Sequence, residues 1–120
     1  MLRVYFKSNC ATCISALSLI RQNTNEKFEK VEYLVDTPTV EQLKEILTML
    51  GMKAEQLVRK KEPLFKEKYE GKKISESRWL KILHENPILI ERPIVVMNDR
   101  AIIGRPIETI VDFIKDHTKK

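Results

Sequence analysis

Glycine and proline are scarce in this chain of 120 residues, with three of the first and five of the second. That excludes a collagen-like or low-complexity disordered polymer, which needs far more of both. No apolar run approaches the ~18 residues of a membrane span. The opening Met1-Leu2-Arg3-Val4-Tyr5-Phe6-Lys7 lacks the long apolar stretch and cleavage site of a secretory signal. The expectation is a cytoplasmic protein with no membrane segment. Two cysteines are too few for a disulfide scaffold, and in a reducing compartment they read as catalytic or redox thiols. The two histidines, His84 and His117, have no finger-like spacing that would complete a zinc site, so no metal is expected. Internal repeats, biased segments and linkers are lacking as well.

What remains has a globular balance, 42% hydrophobic and 32% charged. The length fits a single domain, since domains run to roughly 100–200 residues. A chain of this size buries a sizeable core without disulfides or structural metal. The net charge of +5 is unevenly spread. Lys53 to Lys81 holds 10 basic and 5 acidic residues, and the rest of the chain holds 12 of each. Such a stretch is ordinarily a solvated helical surface. Its functional reading is attraction of an oxyanion or an acidic partner; direct nucleic-acid binding is not expected.

Periodicity orders the elements. Leu2, Val4 and Phe6 alternate with more polar neighbours and predict a strand, and Ile14, Leu17 and Ile20 predict a helix from about Ala11 to Arg21. Val31, Tyr33 and Val35 alternate again, giving a second strand parallel to the first. Thr39 and Gln42 form a capping-box pattern before a helix carrying Leu43, Ile46, Leu47 and Leu50, which Gly51 is placed to end. Short helices are expected around Leu57 and Leu64-Phe65, then one capped by Ser75 that carries Trp79, Ile82 and Leu83. Ile94 to Met97, Asn98-Asp99 and Ala101 to Ile103 read as a hairpin. Pro106 is expected to open a last helix with Ile107, Ile110, Val111 and Ile114 on one face.

Chemistry is concentrated in Cys10-Ala11-Thr12-Cys13, between the first strand and the first helix. A thiol at a helix N-terminus faces unpaired N–H groups and the positive end of the dipole, both of which favour the thiolate. The second thiol sits one turn on and can attack a bond formed at the first.

Several segments carry a resemblance. They are Ser8-Asn9-Cys10, Thr37-Pro38-Thr39, Leu57-Val58-Arg59-Lys60-Lys61-Glu62-Pro63, the run Asn86-Pro87-Ile88-Leu89-Ile90-Glu91-Arg92-Pro93-Ile94-Val95-Val96, and Gly104-Arg105-Pro106. Together they resemble the glutaredoxin-coupled arsenate reductases of the ArsC type, with Spx regulators as relatives, from about Leu2 to Ile114. The resemblance implies an α/β fold of thioredoxin-like, glutaredoxin type: one domain over residues 1–120, with a βαβ unit, a helical insertion at about 37–90, and a closing ββα. It places Cys10 on the nucleophile that attacks arsenate and Arg59, Arg92 and Arg105 on the three oxyanion-binding arginines. It also implies a cis peptide before Pro93. Glutathione would be co-substrate and glutaredoxin the partner, with no tightly bound cofactor.

The chain departs from the family's pattern at three places. Cys13 stands where the family usually has Ser, Ile14 where it has Arg, and Phe6 where it has His. The missing Arg and His imply a less acidic Cys10 and weaker arsenate affinity than the family's. Cys13 adds two alternatives. One is an Spx-like regulator that binds RNA polymerase and senses oxidation through a Cys10–Cys13 disulfide. The other is a general glutathione-dependent thiol reductase.

Overall fold

Apolar alternation over Leu2, Val4 and Phe6 makes β1 (Leu2–Phe6) an inner strand of a four-stranded sheet. The structure is a computed structural model that describes residues 2–25 and 27–118. β2 (Phe28–Glu32), β3 (Ile94–Met97) and β4 (Arg100–Ile103) complete the sheet in the order β2-β1-β3-β4. β2 is parallel to β1, while β3 is antiparallel to both β1 and β4. With α1 (Ala11–Asn23) joining β1 to β2, and α6 (Glu108–Thr118) after the hairpin, this is the thioredoxin-like α/β arrangement. The chain divides into two compact units, residues 1–36 with 92–120, and residues 37–91.

In the first unit, Leu2 and Val4 of β1 and Val95 and Met97 of β3 share one sheet face. Ala16, Leu17 and Ile20 of α1 and Ile110, Phe113 and Ile114 of α6 pack on it. All four β3 residues are buried, which explains why Ile94-Val95-Val96-Met97 is a continuous apolar run without alternation. Asn98 turns the hairpin with φ 58°, a left-handed conformation that asparagine tolerates.

The second unit is helical. α2 (Val40–Leu50) begins at the expected capping box: Gln42 N–H donates to Thr39 Oγ1 at 3.1 Å and Thr39 N–H to Gln42 Oε1 at 2.9 Å. It ends at Gly51 in the left-handed conformation, φ 70°. α3 (Ala54–Leu57) and α4 (Pro63–Lys68) are short, and α5 (Glu76–Glu85) is capped by Ser75 and packs against α2 and α3. Trp79 of α5 stacks on Phe65 at 6.3 Å and tilts against Tyr69 at 5.7 Å between ring centroids. The basic stretch Lys53 to Lys81 lies wholly in this unit. Among the described residues no helix is long and apolar enough to cross a membrane.

Boundaries differ from the sequence reading at three places. The second strand lies earlier than Val31-Tyr33-Val35 and ends at Glu32. There the Glu32 carbonyl accepts the N–H of Val35 (3.0 Å) and Asp36 (2.8 Å), folding the chain into a turn that leaves Val35 85% exposed. α1 runs past Arg21 to Asn23, whose Nδ2 donates to Leu19 O at 2.8 Å. α6 starts at Glu108, after a tight turn in which Pro106 O accepts Thr109 N–H (3.1 Å) and Thr109 Oγ1–H (2.8 Å). The side chain of His117 lies outside the described residues.

Ile110 and Ile14 give a matched test of this core, one fully buried and the other 56% exposed. Ile110→Ala is expected to lower unfolding free energy by about 2–5 kcal/mol. Ile14→Ala should stay within about 0.5 kcal/mol of wild type. Urea denaturation of the two variants checks the difference.

Candidate active site

Strand register collects the reactive residues at one edge of the sheet in the first unit. β1 and β2 run parallel with Phe6 opposite Glu32, so the segments after both strands emerge side by side. β3 runs the other way, with Ile94 opposite both Tyr5 and Ile103, so the residues before β3 and after β4 reach the same edge. Gly104 N–H extends that ladder to Pro93 O at 2.8 Å. The Arg92–Pro93 and Arg105–Pro106 peptides are both cis. Gly104 has no room for a side chain: a Cβ there would lie 2.7 Å from Ile110 Cδ1 and 3.0 Å from Pro93 Cγ.

Cys10 is the N-cap of α1. Its backbone is extended (φ −102°, ψ 118°) and its carbonyl accepts Ile14 N–H at 3.0 Å. The Cys13 N–H is directed at the Cys10 sulfur without closing a capping hydrogen bond. The loop before the helix is pinned by Glu32, whose carboxylate accepts Ser8 N–H at 2.6 Å and Leu34 N–H at 3.1 Å. Burial works against ionisation of Glu32, but these donors and the Lys7 charge outweigh it and hold its pKa below the usual carboxylate range.

Arg105 spans the site. Its Nε donates to Arg92 O at 2.6 Å, its Nη1 to Thr12 Oγ1 at 3.4 Å, and its Nη2 lies 3.6 Å from Cys10 Sγ. Arg92 is 4% exposed, and its guanidinium hydrogen-bonds both the Cys10 sulfur and the Tyr33 hydroxyl. Tyr33 is buried too. Burial pushes its phenol pKa up, and the Arg92 charge opposes this only in part.

The two thiols differ sharply. Burial alone would raise the Cys10 pKa. The Cys13 N–H and thiol, the Arg105 charge and the Arg92 hydrogen bond reverse that and lower it to about 7. Cys13 is fully buried. Burial, followed by its hydrogen bond to Cys10 and the charge there, raises its pKa to about 11, although the Lys7 N–H and the Arg105 charge pull the other way.

Of the residues singled out from sequence, the first unit by itself brings together Cys10, Cys13, Arg92, Pro93 and Arg105. Arg59 belongs to the second unit, on the segment after α3. Its N–H donates to Leu89 O at 2.6 Å, and its Nε lies 3.2 Å from Glu62 Oε2. Three participants were missed from sequence: Thr12, Glu32 and Tyr33. The usable signal was topological, since parallel strands place the residues after β2 beside the cysteine loop. Among the described residues no three His, Cys, Asp or Glu side chains group to hold a metal.

The arrangement is a thiolate with two guanidinium groups, a local surplus of positive charge around a nucleophile. Planar forks offer paired donors to the oxygens of a tetrahedral anion, and a partly exposed sulfur can attack its central atom.

The chain is similar to known proteins over most of its length. The model of the ArsC family matches residues 5–113. YfgD, an uncharacterized protein of Escherichia coli strain K12, is 36% identical over 114 residues, covering 93% of this chain and 95% of its own. An arsenate reductase of Neisseria meningitidis serogroup A is 32% identical over 111 residues, covering 91% and 94%. The solved structure of an arsenate reductase from Vibrio cholerae matches with a TM-score of 0.86 at 33% identity, covering 92% of this chain and 95% of that one.

Iodoacetamide alkylation followed against pH, with each cysteine resolved by peptide mass, checks the thiol assignment. Cys10 should show a midpoint near pH 7, and its rate should fall about tenfold per unit below that as the thiolate protonates. Cys13 should stay unreactive through pH 9. Arg105→Ala removes a charge that favours the Cys10 anion, so the Cys10 midpoint should move upward. An unchanged midpoint contradicts the assignment.

Proposed function

This chain belongs to the ArsC family, and we propose that it reduces arsenate to arsenite through a Cys10 thiolate, with glutathione as reductant and glutaredoxin as partner. The observation that carries the proposal is the position of Cys10 Sγ. It sits at the N-terminus of α1, 3.6 Å from Arg105 Nη2 and hydrogen-bonded by Arg92. Relatives named arsenate reductase support the substrate.

In the proposed cycle arsenate takes up the donors of Arg92 and Arg105, which remain charged throughout. The Cys10 thiolate attacks arsenic and an oxygen leaves as water, giving a sulfur–arsenic bond. A glutathione thiolate then attacks the Cys10 sulfur. The S–S bond forms, the electron pair of the S–As bond passes to arsenic, and arsenite leaves with arsenic reduced by two electrons. Glutaredoxin clears the Cys10–glutathione disulfide. The arginines offset negative charge that builds on oxygen as the sulfur attacks. The same task is assigned to Arg59 by family resemblance alone. Glutathione enters as a co-substrate, and no tightly bound cofactor takes part.

The test is arsenate-dependent NADPH oxidation coupled through glutathione, glutaredoxin and glutathione reductase, beside a thioredoxin-coupled control. Cys10→Ser should abolish turnover. Arg92→Lys and Arg105→Lys keep the charge but lose the fork, and each should raise KM for arsenate at least about tenfold, since a charge-assisted hydrogen bond contributes ~1.5–3 kcal/mol. Glutathione-dependent disulfide reduction without arsenate turnover would instead make this a general thiol reductase. A readily formed Cys10–Cys13 disulfide with neither activity would favour the regulator.

A further inference from the structure

The sheet order puts β2 on one flank of β1, and β3 and β4 on the other. Arg92 and Arg105 reach Cys10 from the β3–β4 flank. Glu32 reaches the same loop from the β2 flank. That loop leaves β1 through one tight turn: Cys10 N–H donates to Lys7 O at 3.1 Å, with Ser8 and Asn9 as the two central residues. The Lys7 ammonium crosses the turn to Asn9 Oδ1. The hydrogen bond that closes such a turn joins its first and fourth residues, so the N–H of the second has no partner in it. Here that N–H belongs to Ser8, and the Glu32 carboxylate accepts it at 2.6 Å. The other carboxylate oxygen accepts Leu34 N–H at 3.1 Å, which fixes Glu32 at the end of its own strand. Tyr33 N–H adds a second tie between the two strand ends, to Phe6 O at 3.2 Å.

We propose that Glu32 is a positioning residue for the nucleophile: its carboxylate locks the Lys7–Cys10 turn, and the locked turn sets the Cys10 sulfur against Arg92 and Arg105. Glu32 acts through the backbone of Ser8, two residues before the sulfur it places. This rests on the reading of Cys10 as the nucleophile, and it adds the group that keeps that nucleophile in place.

Everything that favours the Cys10 anion depends on where the turn leaves it. Arg105 Nη2 lies 3.6 Å from the sulfur, and Arg92 hydrogen-bonds it. Hydrogen bonds weaken steeply as their geometry opens. Cys10 is also the N-cap of α1, and the field of a helix end fades within one turn. A small rotation of the turn about Ser8 weakens all of these together. The charge of Glu32 works in the opposite direction, because an anion disfavours a second anion nearby. Removing the side chain therefore separates the two roles by sign. Loss of a charge lowers the acidity threshold of Cys10, whereas loss of the lock raises it.

The test follows iodoacetamide alkylation of Cys10 against pH in wild type, in Glu32→Ala, and in Glu32→Ala combined with Ser8→Pro. Proline removes the Ser8 N–H and fixes φ without the carboxylate. It suits the second position of this turn, since neither Ser8 nor Asn9 has a positive φ. From a wild-type midpoint near pH 7, Glu32→Ala should rise by at least about half a unit toward the ordinary thiol value of about 8.5. The double variant should return close to wild type. A Glu32→Ala midpoint that stays or falls overturns the proposal, as does a double variant raised as far as the single one. If Glu32→Ala does not fold by circular dichroism, the double variant decides: a midpoint near 7 supports the lock, and a raised midpoint or a failure to fold overturns it. A wild-type midpoint already near 8.5 would instead remove the thiolate nucleophile itself, and this proposal with it.

Discussion

The Arg105 guanidinium holds the reactive corner together. With one fork it touches the carbonyl of Arg92, the hydroxyl of Thr12 and the sulfur of Cys10, so it links β3, β4 and the start of α1. It can do so because the β3–β4 register sets Pro93 beside Gly104, and because Gly104 presents no Cβ to Pro93 and Ile110. The rest of the corner depends on the same register. β1 delivers the cysteine loop to that edge, and β2 delivers Glu32, which fastens the loop, and Tyr33, which braces Arg92.

The consequence is an electrostatic division of labour between two sulfurs one helical turn apart. The helix N-terminus and two guanidiniums favour the anion at Cys10, while burial suppresses it at Cys13. A site with two fixed positive charges and one thiolate keeps a net attraction for an oxyanion even after the nucleophile is ionised. Phe6 and Ile14, the neighbours of the cysteine motif in β1 and α1, carry no charge, and Ile14 points largely to solvent. Acidity at Cys10 therefore comes from Cys13, Arg105 and Arg92.

Much of this was legible in the sequence because the signals were local. The capping box at Thr39 and Gln42, the Gly51 cap, the Asn98-Asp99 turn and the helix-start position of Cys10 each follow from a few adjacent residues. The end of β2 was misread because alternation continues through Tyr33 and Val35, although the Glu32 carbonyl has already turned the chain. Glu32 and Tyr33 were missed as site residues because their roles depend on pairing with Ser8 and Arg92, far away in sequence. Arg92 and Arg105 were found by family resemblance; their shared edge is a property of sheet register, which composition and periodicity do not reveal.

The central claim is that Arg92, Arg105 and the Cys10 thiolate form one oxyanion site. The most direct measurement is protection of Cys10 from iodoacetamide by sulfate, a tetrahedral anion that the thiol cannot reduce, at pH 8 and constant ionic strength. Saturable protection of wild type, lost in folded Arg92→Lys and Arg105→Lys, is the predicted result. No protection at any sulfate concentration, or equal protection in all three proteins, would contradict it.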